Sequence, residues 1–196
     1  MLCSIVPQCE KIMTMKAIKG KLNGIILIEP DVYPNNRGFF LESYNKKTYE
    51  QIGINHKFVQ DNHSASTKGT LRGMHWQVNY AVQAKLVRVI FGKVLDVVVD
   101  IRKSSPTFGL WEGFQLSAEN KKQLFVPVGF AHSYFVISDY AEFLYKCDNY
   151  YSPKDERGFI WNDPDIGIKW PENNPVLSEK DLKLPSFKDI PEKDLF

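Results

Sequence analysis

The chain has 196 residues with 43% hydrophobic and 13% aromatic side chains, enough to build one domain with a sizeable core and too short to expect two. Its 25 basic and 23 acidic side chains leave a net charge of +2 with no Lys/Arg run, which argues against binding of polymeric nucleic acid. Cys3, Cys9 and Cys147 form no CxxC pair, so neither a disulfide framework nor a zinc ribbon is expected, and a reducing cytoplasm is the simplest setting.

Residues 1–14 carry a short apolar run, Leu2 to Val6, broken by Pro7, Glu10 and Lys11. That is too short and polar for a signal peptide or a membrane span, so the stretch reads as a flexible extension, with residues 15–196 as a single domain. Gly24 to Pro30 is a β-branched apolar run closed by proline, expected as a buried strand. Asp31 to Arg37 has turn composition, and Phe39 to Tyr44 resumes as a strand. Lys46 to Ile52 predicts one short helix stopped by Gly53.

Phe58 to Ser66 is polar for a strand, with Gln60, Asn62, Ser64 and Ser66 on one parity; an inward polar row predicts a lined cavity. Leu71 to Gln77, Leu-Arg-Gly-Met-His-Trp-Gln, brings an imidazole, a guanidinium and an amide together in a β-rich region. Strict alternation puts His75 and Gln77 on one face, with Arg72, Met74 and Trp76 on the other. His75 is the candidate base. Lys85 to Arg102 predicts a β-hairpin turning at Gly92-Lys93, with Lys85 ending an otherwise apolar row.

Four further extended segments follow, Leu110 to Leu116, Gln123 to Val128, Ser133 to Ile137 and Glu142 to Asn149. Many short strands with few helices make the chain all-β, a sandwich or barrel. Residues from about 160 to 196, with Pro171, Pro175, Pro185 and Pro191, predict an irregular wrapping segment. A metal site is disfavoured, because none of His56, His63, His75 and His132 belongs to a His-x-His pair. A proton-transfer site, needing a base, an orienting carboxylate, a cation and an acid, suits the residue types better.

Eight motifs in order carry a resemblance: Arg37-Gly-Phe-Phe-Leu-Glu42, Phe58-Val-Gln-Asp-Asn62, Leu71-Arg-Gly-Met-His75, Lys85-Leu-Val-Arg-Val, Asp96-Val-Val-Val-Asp-Ile-Arg102, Pro127-Val-Gly-Phe-Ala-His132, Trp161-Asn-Asp-Pro164 and Leu177-Ser-Glu-Lys-Asp181. Together they resemble the dTDP-4-dehydrorhamnose 3,5-epimerase family from Gly24 to about Asp181. The resemblance implies a cupin-like jelly-roll sandwich or barrel with a few short helices, a homodimer without metal or cofactor, and inversion of C3 and C5 of a dTDP-linked 4-keto-6-deoxyglucose through an enolate. It implies His75 as base, Asp181 as its orienting carboxylate, Lys85 as holder of the enolate oxygen and Tyr145 as acid on the opposite sugar face. Arg37, Glu42, Gln60, Asn62 and Arg72 align with nucleotide and sugar contacts, His132 with a residue beside the sugar, and Glu156 and Lys180 with further contacts. Tyr151, or its neighbour Tyr150, falls where the family stacks an aromatic on the base. Met74 and Trp76 around the histidine, and Ser133 and Tyr134 after His132, depart from the usual family residues. A 3-epimerase, an epimerase of another nucleotide sugar, a non-catalytic sugar-binding module and a metal-dependent cupin enzyme are the competing readings.

Overall fold

The computed structural model describes residues 15–196, so the expected flexible extension at 1–14 lies outside the described residues. The strands in chain order are β1 (Lys16–Lys19), β2 (Ile26–Glu29), β3 (Tyr33–Asn35), β4 (Gly38–Phe40), β5 (Gln60–Thr67), β6 (Leu71–Gln77), β7 (Lys85–Phe91), β8 (Lys93–Asp100), β9 (Trp111–Ser117), β10 (Gln123–Val126), β11 (Phe130–Val136), β12 (Tyr140–Cys147) and β13 (Glu156–Gly158). One α-helix, α1 (Lys46–Gln51), starts at Asn45, whose side chain accepts from the Lys47 amide, and ends before Gly53. Capping oxygens of this kind satisfy amides that a first helical turn leaves unpaired.

Two sheets face each other, one of six strands in the order β1-β2-β10-β7-β12-β5 and one of five in the order β13-β6-β11-β8-β9. Alternation along the strands gives three apolar layers. Val87, Val89, Val94, Val98, Leu124 and Phe143 pack between the sheets. Met74, Trp76, Val99, Ile101 and Phe159 lie on the outer face of the five-stranded sheet, covered by the C-terminal wrap, and Ile28, Ile54 and Phe125 pack with Tyr49 of α1 on the outer side of the other.

The expected hairpin at Gly92-Lys93 is absent as a pair. The two strands form where the apolar pattern puts them, but β7 pairs with β10 and β12 while β8 pairs with β9 and β11, in opposite sheets. Gly92 is a corner. It has φ +74°, and a Cβ there would fall 2.1 Å from the Tyr140 carbonyl oxygen. The chain crosses between sheets at the same end three times more, from β5 to β6, from β9 to β10 and from β11 to β12, and these crossings, which close this end, bond to one another. The Lys68 amide donates to Asp139 O at 3.0 Å, that of Ile137 to Lys93 O at 3.0 Å, and that of Lys93 to Ser138 Oγ at 2.8 Å. The remaining crossings, from β6 to β7, β10 to β11 and β12 to β13, lie at the opposite end, beside a polar cavity.

Smaller differences have local causes. Asp31 to Arg37 holds strand β3 as well as a turn, and the following strand stops at Phe40, so β3 and β4 form a small exposed ribbon. The wrap contains a strand that its proline-rich surroundings concealed, β13, paired along the edge of β6.

Ser133 points to the outer face of β11, is 1% exposed, and its hydroxyl has no hydrogen-bond partner among the described residues. A buried unpaired hydroxyl costs its desolvation without return. Ser133→Ala is therefore expected to stabilise the fold by about 1 kcal/mol, read from urea denaturation; a loss of stability would show that the hydroxyl is bonded in solution.

Candidate active site

The inner face of the six-stranded sheet presents its side chains in cross-strand rows that grade from apolar to charged. Val89, Phe143 and Ser64 stand in register nearest the closed end, then Val87, Tyr145 and Asn62, then Lys85, Cys147 and Gln60 nearest the mouth. The alternating polar row of β5 faces inward as expected: Gln60, Asn62 and Ser64 are half-buried, while Asp61 and His63 between them are exposed.

On the facing sheet, His75 of β6 is opposite His132 of β11, and Arg72 is opposite Tyr134. His132 and Tyr134 are two residues apart on one strand face, so Arg72 and His75 share that face too. This corrects the strict alternation read from the sequence. The pairing register shifts between these two pairs, at Gly73, whose φ is +126° and whose Cβ would lie 2.6 Å from the His132 carbonyl oxygen. A β-bulge re-aims side chains in this way, and only glycine fits there. Met74 and Trp76 turn outward into the apolar layer under the wrap.

Between the walls lies a cavity of about 410 Å³ lined by Arg72, His75, Lys85, His132, Tyr145 and Asp181, among others. A smaller one of about 240 Å³ adjoins it and shares His75, Lys85 and Tyr145, adding Gln60, Asn62, Tyr151 and Glu156. Sites of this size and mixed lining suit small-molecule ligands. Eleven of the thirteen residues singled out in the sequence line these cavities, as Lys180 does the larger. Arg37 and Glu42 do not. Arg37 is exposed at the tip of the β3–β4 ribbon, and Glu42 accepts from Asn45 Nδ2 at 3.1 Å beside α1. Of the two neighbouring tyrosines, Tyr151 lines the cavity.

His75 Nε2 lies 2.6 Å from Asp181 Oδ1. Asp181 is 4% exposed and sits on a short 3₁₀ turn at Asp181–Lys183, where its own backbone amide donates to Ser178 Oγ at 3.1 Å. Burial pushes its carboxyl up, but the hydrogen bond and charge of His75, with Ser178 and Lys180, outweigh this and hold it below the usual range. With Nε2 committed to Asp181, the lone pair left for proton abstraction is on Nδ1. That nitrogen is 3.7 Å from Glu156 Oε1. Glu156 is itself clasped by Tyr151, whose hydroxyl donates to Oε2 at 2.5 Å, and by Lys180.

The opposite wall supplies an acid and a cation. Burial pushes the Tyr145 phenol up, as does the thiol of Cys147, so it holds its proton throughout the neutral range. Burial pushes the Lys85 ammonium down, opposed by Cys147, Glu156 and Asp96. Among the described residues no carboxylate forms a salt bridge with it, and a desolvated ammonium so placed binds developing negative charge strongly, because little water competes for it.

A second imidazole–carboxylate pair lies deeper, where His132 Nε2 is 2.9 Å from Asp96 Oδ1. Asp96 is fully buried, and burial pushes its carboxyl up against the opposing pull of His132 and Lys85. The sequence reading gave Asp96 no role, although a carboxylate inside the run Val94-Leu-Asp-Val-Val-Val was the available signal. Also missed were Tyr134, bonded at 2.9 Å to Ser64 of the expected polar row, and Phe143, stacked on Tyr134 at 4.2 Å. Among the described residues, no group of three His, Cys, Asp or Glu side chains is arranged to hold a metal ion.

A base on one wall, an acid and a cation on the other, and a cavity between them can remove a proton from one face of a carbon acid and return one to the other. Comparison with known proteins points the same way. A family profile described as dTDP-4-dehydrorhamnose 3,5-epimerase matches residues 19–189. The Shigella flexneri protein of that name is 54% identical over 89% of this chain and 97% of its own. The crystal structure of dTDP-6-deoxy-D-glucose-3,5-epimerase from Legionella pneumophila, in complex with dTDP-4-keto-L-rhamnose, is 46% identical with a TM-score of 0.90, over 93% of this chain and 97% of that one. A 3′-monoepimerase from Streptomyces bikiniensis, in complex with dTDP-quinovose, is 33% identical with a TM-score of 0.80, over 85% of each chain.

The Glu156 clasp is open to a direct test. The hydrogen bond to Glu156, burial and the Glu156 charge push the Tyr151 phenol up to about 12. Glu156→Gln removes the charge, so Tyr151 should ionise closer to the ordinary phenol value of 10. An ultraviolet phenolate titration should show one more tyrosine ionising between those limits in the variant than in the parent; identical curves would mean that the clasp does not form in solution.

Proposed function

The chain belongs to the dTDP-4-dehydrorhamnose 3,5-epimerase family, and on that premise we propose that it inverts C3 and C5 of dTDP-4-keto-6-deoxyglucose with the residues that line its cavity. The observation that carries this reading is the opposition of the His75–Asp181 pair, bonded at 2.6 Å, to Tyr145 and Lys85 across one cavity. The 4-keto group makes both neighbouring carbons acidic. His75 Nδ1 takes the proton from C3 or C5, and the electron pair moves to the keto oxygen as an enolate. Asp181 holds the ring by Nε2 and stabilises the imidazolium that forms. Lys85 receives the enolate oxygen, a contribution of about 3 kcal/mol to the barrier for donors so placed. Tyr145 returns a proton from the opposite face, which turns exchange into inversion, and the enolate collapses to the ketone.

Binding follows from the rest of the lining. The Arg72 guanidinium, held by Ser66 Oγ at 3.1 Å and Ala65 O at 3.2 Å, is oriented to meet phosphate or sugar oxygens. His132 is fixed beside the sugar by Asp96. Tyr151, with Gln60 Oε1 accepting from its amide at 3.0 Å, offers a ring to the nucleobase, and Asn62, Glu156 and Lys180 offer polar contacts at the same mouth. We read residues 15–196 as one domain, working without a metal or cofactor in the cytoplasm, where a thiol such as Cys147 stays reduced.

The two family-aligned residues outside the cavity suggest a second copy of the chain. The β3–β4 ribbon carries Arg37 outward with Phe39 and Phe40 exposed at 55% and 62%, and β5, which lines the site, is a sheet edge. In a homodimer each ribbon reaches the partner's β5 edge, bringing Arg37 and Glu42 to the other site. Light scattering should give twice the 22.6 kDa chain mass; a monomer at micromolar concentration would remove this part of the reading.

The reaction is tested by incubating the protein with dTDP-4-keto-6-deoxyglucose in deuterium oxide and following C3 and C5 by NMR. Deuterium is expected at both carbons, and His75→Ala should abolish it, a loss of at least about 10²-fold for removal of a general base. Exchange at C3 alone would make the protein a 3-epimerase like the Streptomyces relative, and undiminished exchange in His75→Ala would overturn the mechanism.

A further inference from the structure

The last residues of the chain, 190–196, lie beyond the stretch that the family profile matches, yet they are docked behind the strand that carries His75. Trp76 Nε1 donates to the backbone carbonyl of Asp194 at 2.9 Å, and Arg157 Nε donates to Asp194 Oδ2 at 2.9 Å. Trp76 and Arg157 are direct partners in the β6–β13 register, flanked by the pairs Gln77–Glu156 and His75–Gly158. One residue of the tail thus grips, from outside the sheet, the sequence neighbours of His75 and of Glu156, whose own side chains face the cavity.

The grip matters because β13 is a weak element. It has three residues and, among the described residues, forms the edge of its sheet and pairs only with β6. Its hold on β6 sets how Glu156 approaches the proton-accepting side of His75. Asp194 is 6% exposed, and the tail around it is anchored at both ends: Ile190 packs in the apolar layer with Trp76, and the Phe196 amide donates to Ile101 O at 3.1 Å. A buried, charge-assisted bond at that point holds geometry and not merely bulk.

We propose that Asp194 is a positioning residue for proton transfer: by clamping Trp76 to Arg157 it fixes β13 on β6, and with it the placement of His75 between Asp181 and Glu156. This inference rests on the role of His75 given above. It separates Asp194 from a residue that only packs the tail, because a packing residue moves stability while a positioning residue moves the reacting groups.

The test uses the full chain, Asp194→Ala, Asp194→Asn and a chain ending at Pro191, with three readouts: thermal melting, kcat and KM for deuterium exchange, and the low-field NMR resonance of the His75 ring proton bonded to Asp181 in the free protein. Misplacement of a catalytic group by a fraction of an ångström to one ångström costs up to about 10²-fold, so kcat should fall about tenfold in Asp194→Ala and about a hundredfold in the shortened chain, with KM changed by less than about threefold. The His75 ring-proton resonance should shift or broaden in both. Asp194→Asn, which keeps an acceptor oxygen for Arg157, should recover most of the rate. Variants that melt earlier yet keep both kcat and the resonance would overturn the proposal. If the shortened chain fails to fold, the two point variants decide alone. A parent protein that exchanges neither carbon would overturn the functional reading instead, while the ring-proton resonance would still decide whether Asp194 holds His75 in place.

Discussion

A single hydrogen bond of 2.6 Å joins His75 to Asp181, residues 106 positions apart, and the architecture is arranged to make that meeting dependable. His75 comes from a strand inside a sheet, where its backbone is fixed by β11 on one side and β13 on the other. Asp181 comes from an irregular segment with no sheet to hold it. The wrap substitutes many separate tethers: Val176 bridges to Thr70, its carbonyl accepts from the Leu71 amide at 3.0 Å, the Ile160 amide donates to Pro185 O at 2.9 Å, and Asp163 Oδ2 accepts from the Phe187 amide at 2.7 Å. A carboxylate bonded to an imidazolium contributes about 1.5–3 kcal/mol by itself, too little to order a segment of that length. The wrap is ordered by its own contacts, and the dyad is their product.

The cavity carries a cost that the apolar layers offset. Lys85, Asp96 and His132 are charged or polar groups on strand faces that elsewhere bury valine and phenylalanine, and an unpaired group so placed would cost several kcal/mol. Asp96 and His132 answer each other, and Lys85 sits within the field of Asp96, Glu156 and the Cys147 thiol. The polar groups cluster toward the opposite end while the closed end is filled by Val89, Val94, Val136 and Phe143. Such separation lets a small sandwich keep a dry core and a reactive pocket in the same layer.

What the sequence disclosed and what it withheld divide along physical lines. Strand existence was legible, because short runs rich in β-branched apolar residues at Ile25 to Ile28, Leu86 to Ile90 and Val94 to Val99 reflect burial directly. The inward polar row of β5 was legible for the same reason. Partner choice was not: a glycine turn between two apolar strands looks alike whether the strands pair or part into opposite sheets, and Gly92 parts them. The facing of Arg72 was hidden by one bulge at Gly73, since alternation carries no mark of where it slips. The catalytic candidates came from an ordered set of motifs, whereas Tyr134, which lines the same cavity, and Asp96, which holds His132 of its lining, acquire meaning only from the residues across from them. Arg37 and Glu42 show the reverse case, prominent in the sequence yet outside the cavity of their own chain.

The four crossings stacked at the closed end also govern how this chain must come together in time. Strand partners are distant, with Gln60 beside Cys147 and His75 beside His132, and no crossing is complete until the others stand next to it. The loop-closure entropy is spent before most contacts reward it. Such topologies fold in about milliseconds to seconds, orders of magnitude more slowly than helical bundles of like stability. During that interval the edges of β5 and β13 stand without neighbours. The charged and hydroxyl side chains on the outward face of β5, Asp61, His63 and Thr67, are the kind that keep a waiting edge from joining the wrong chain.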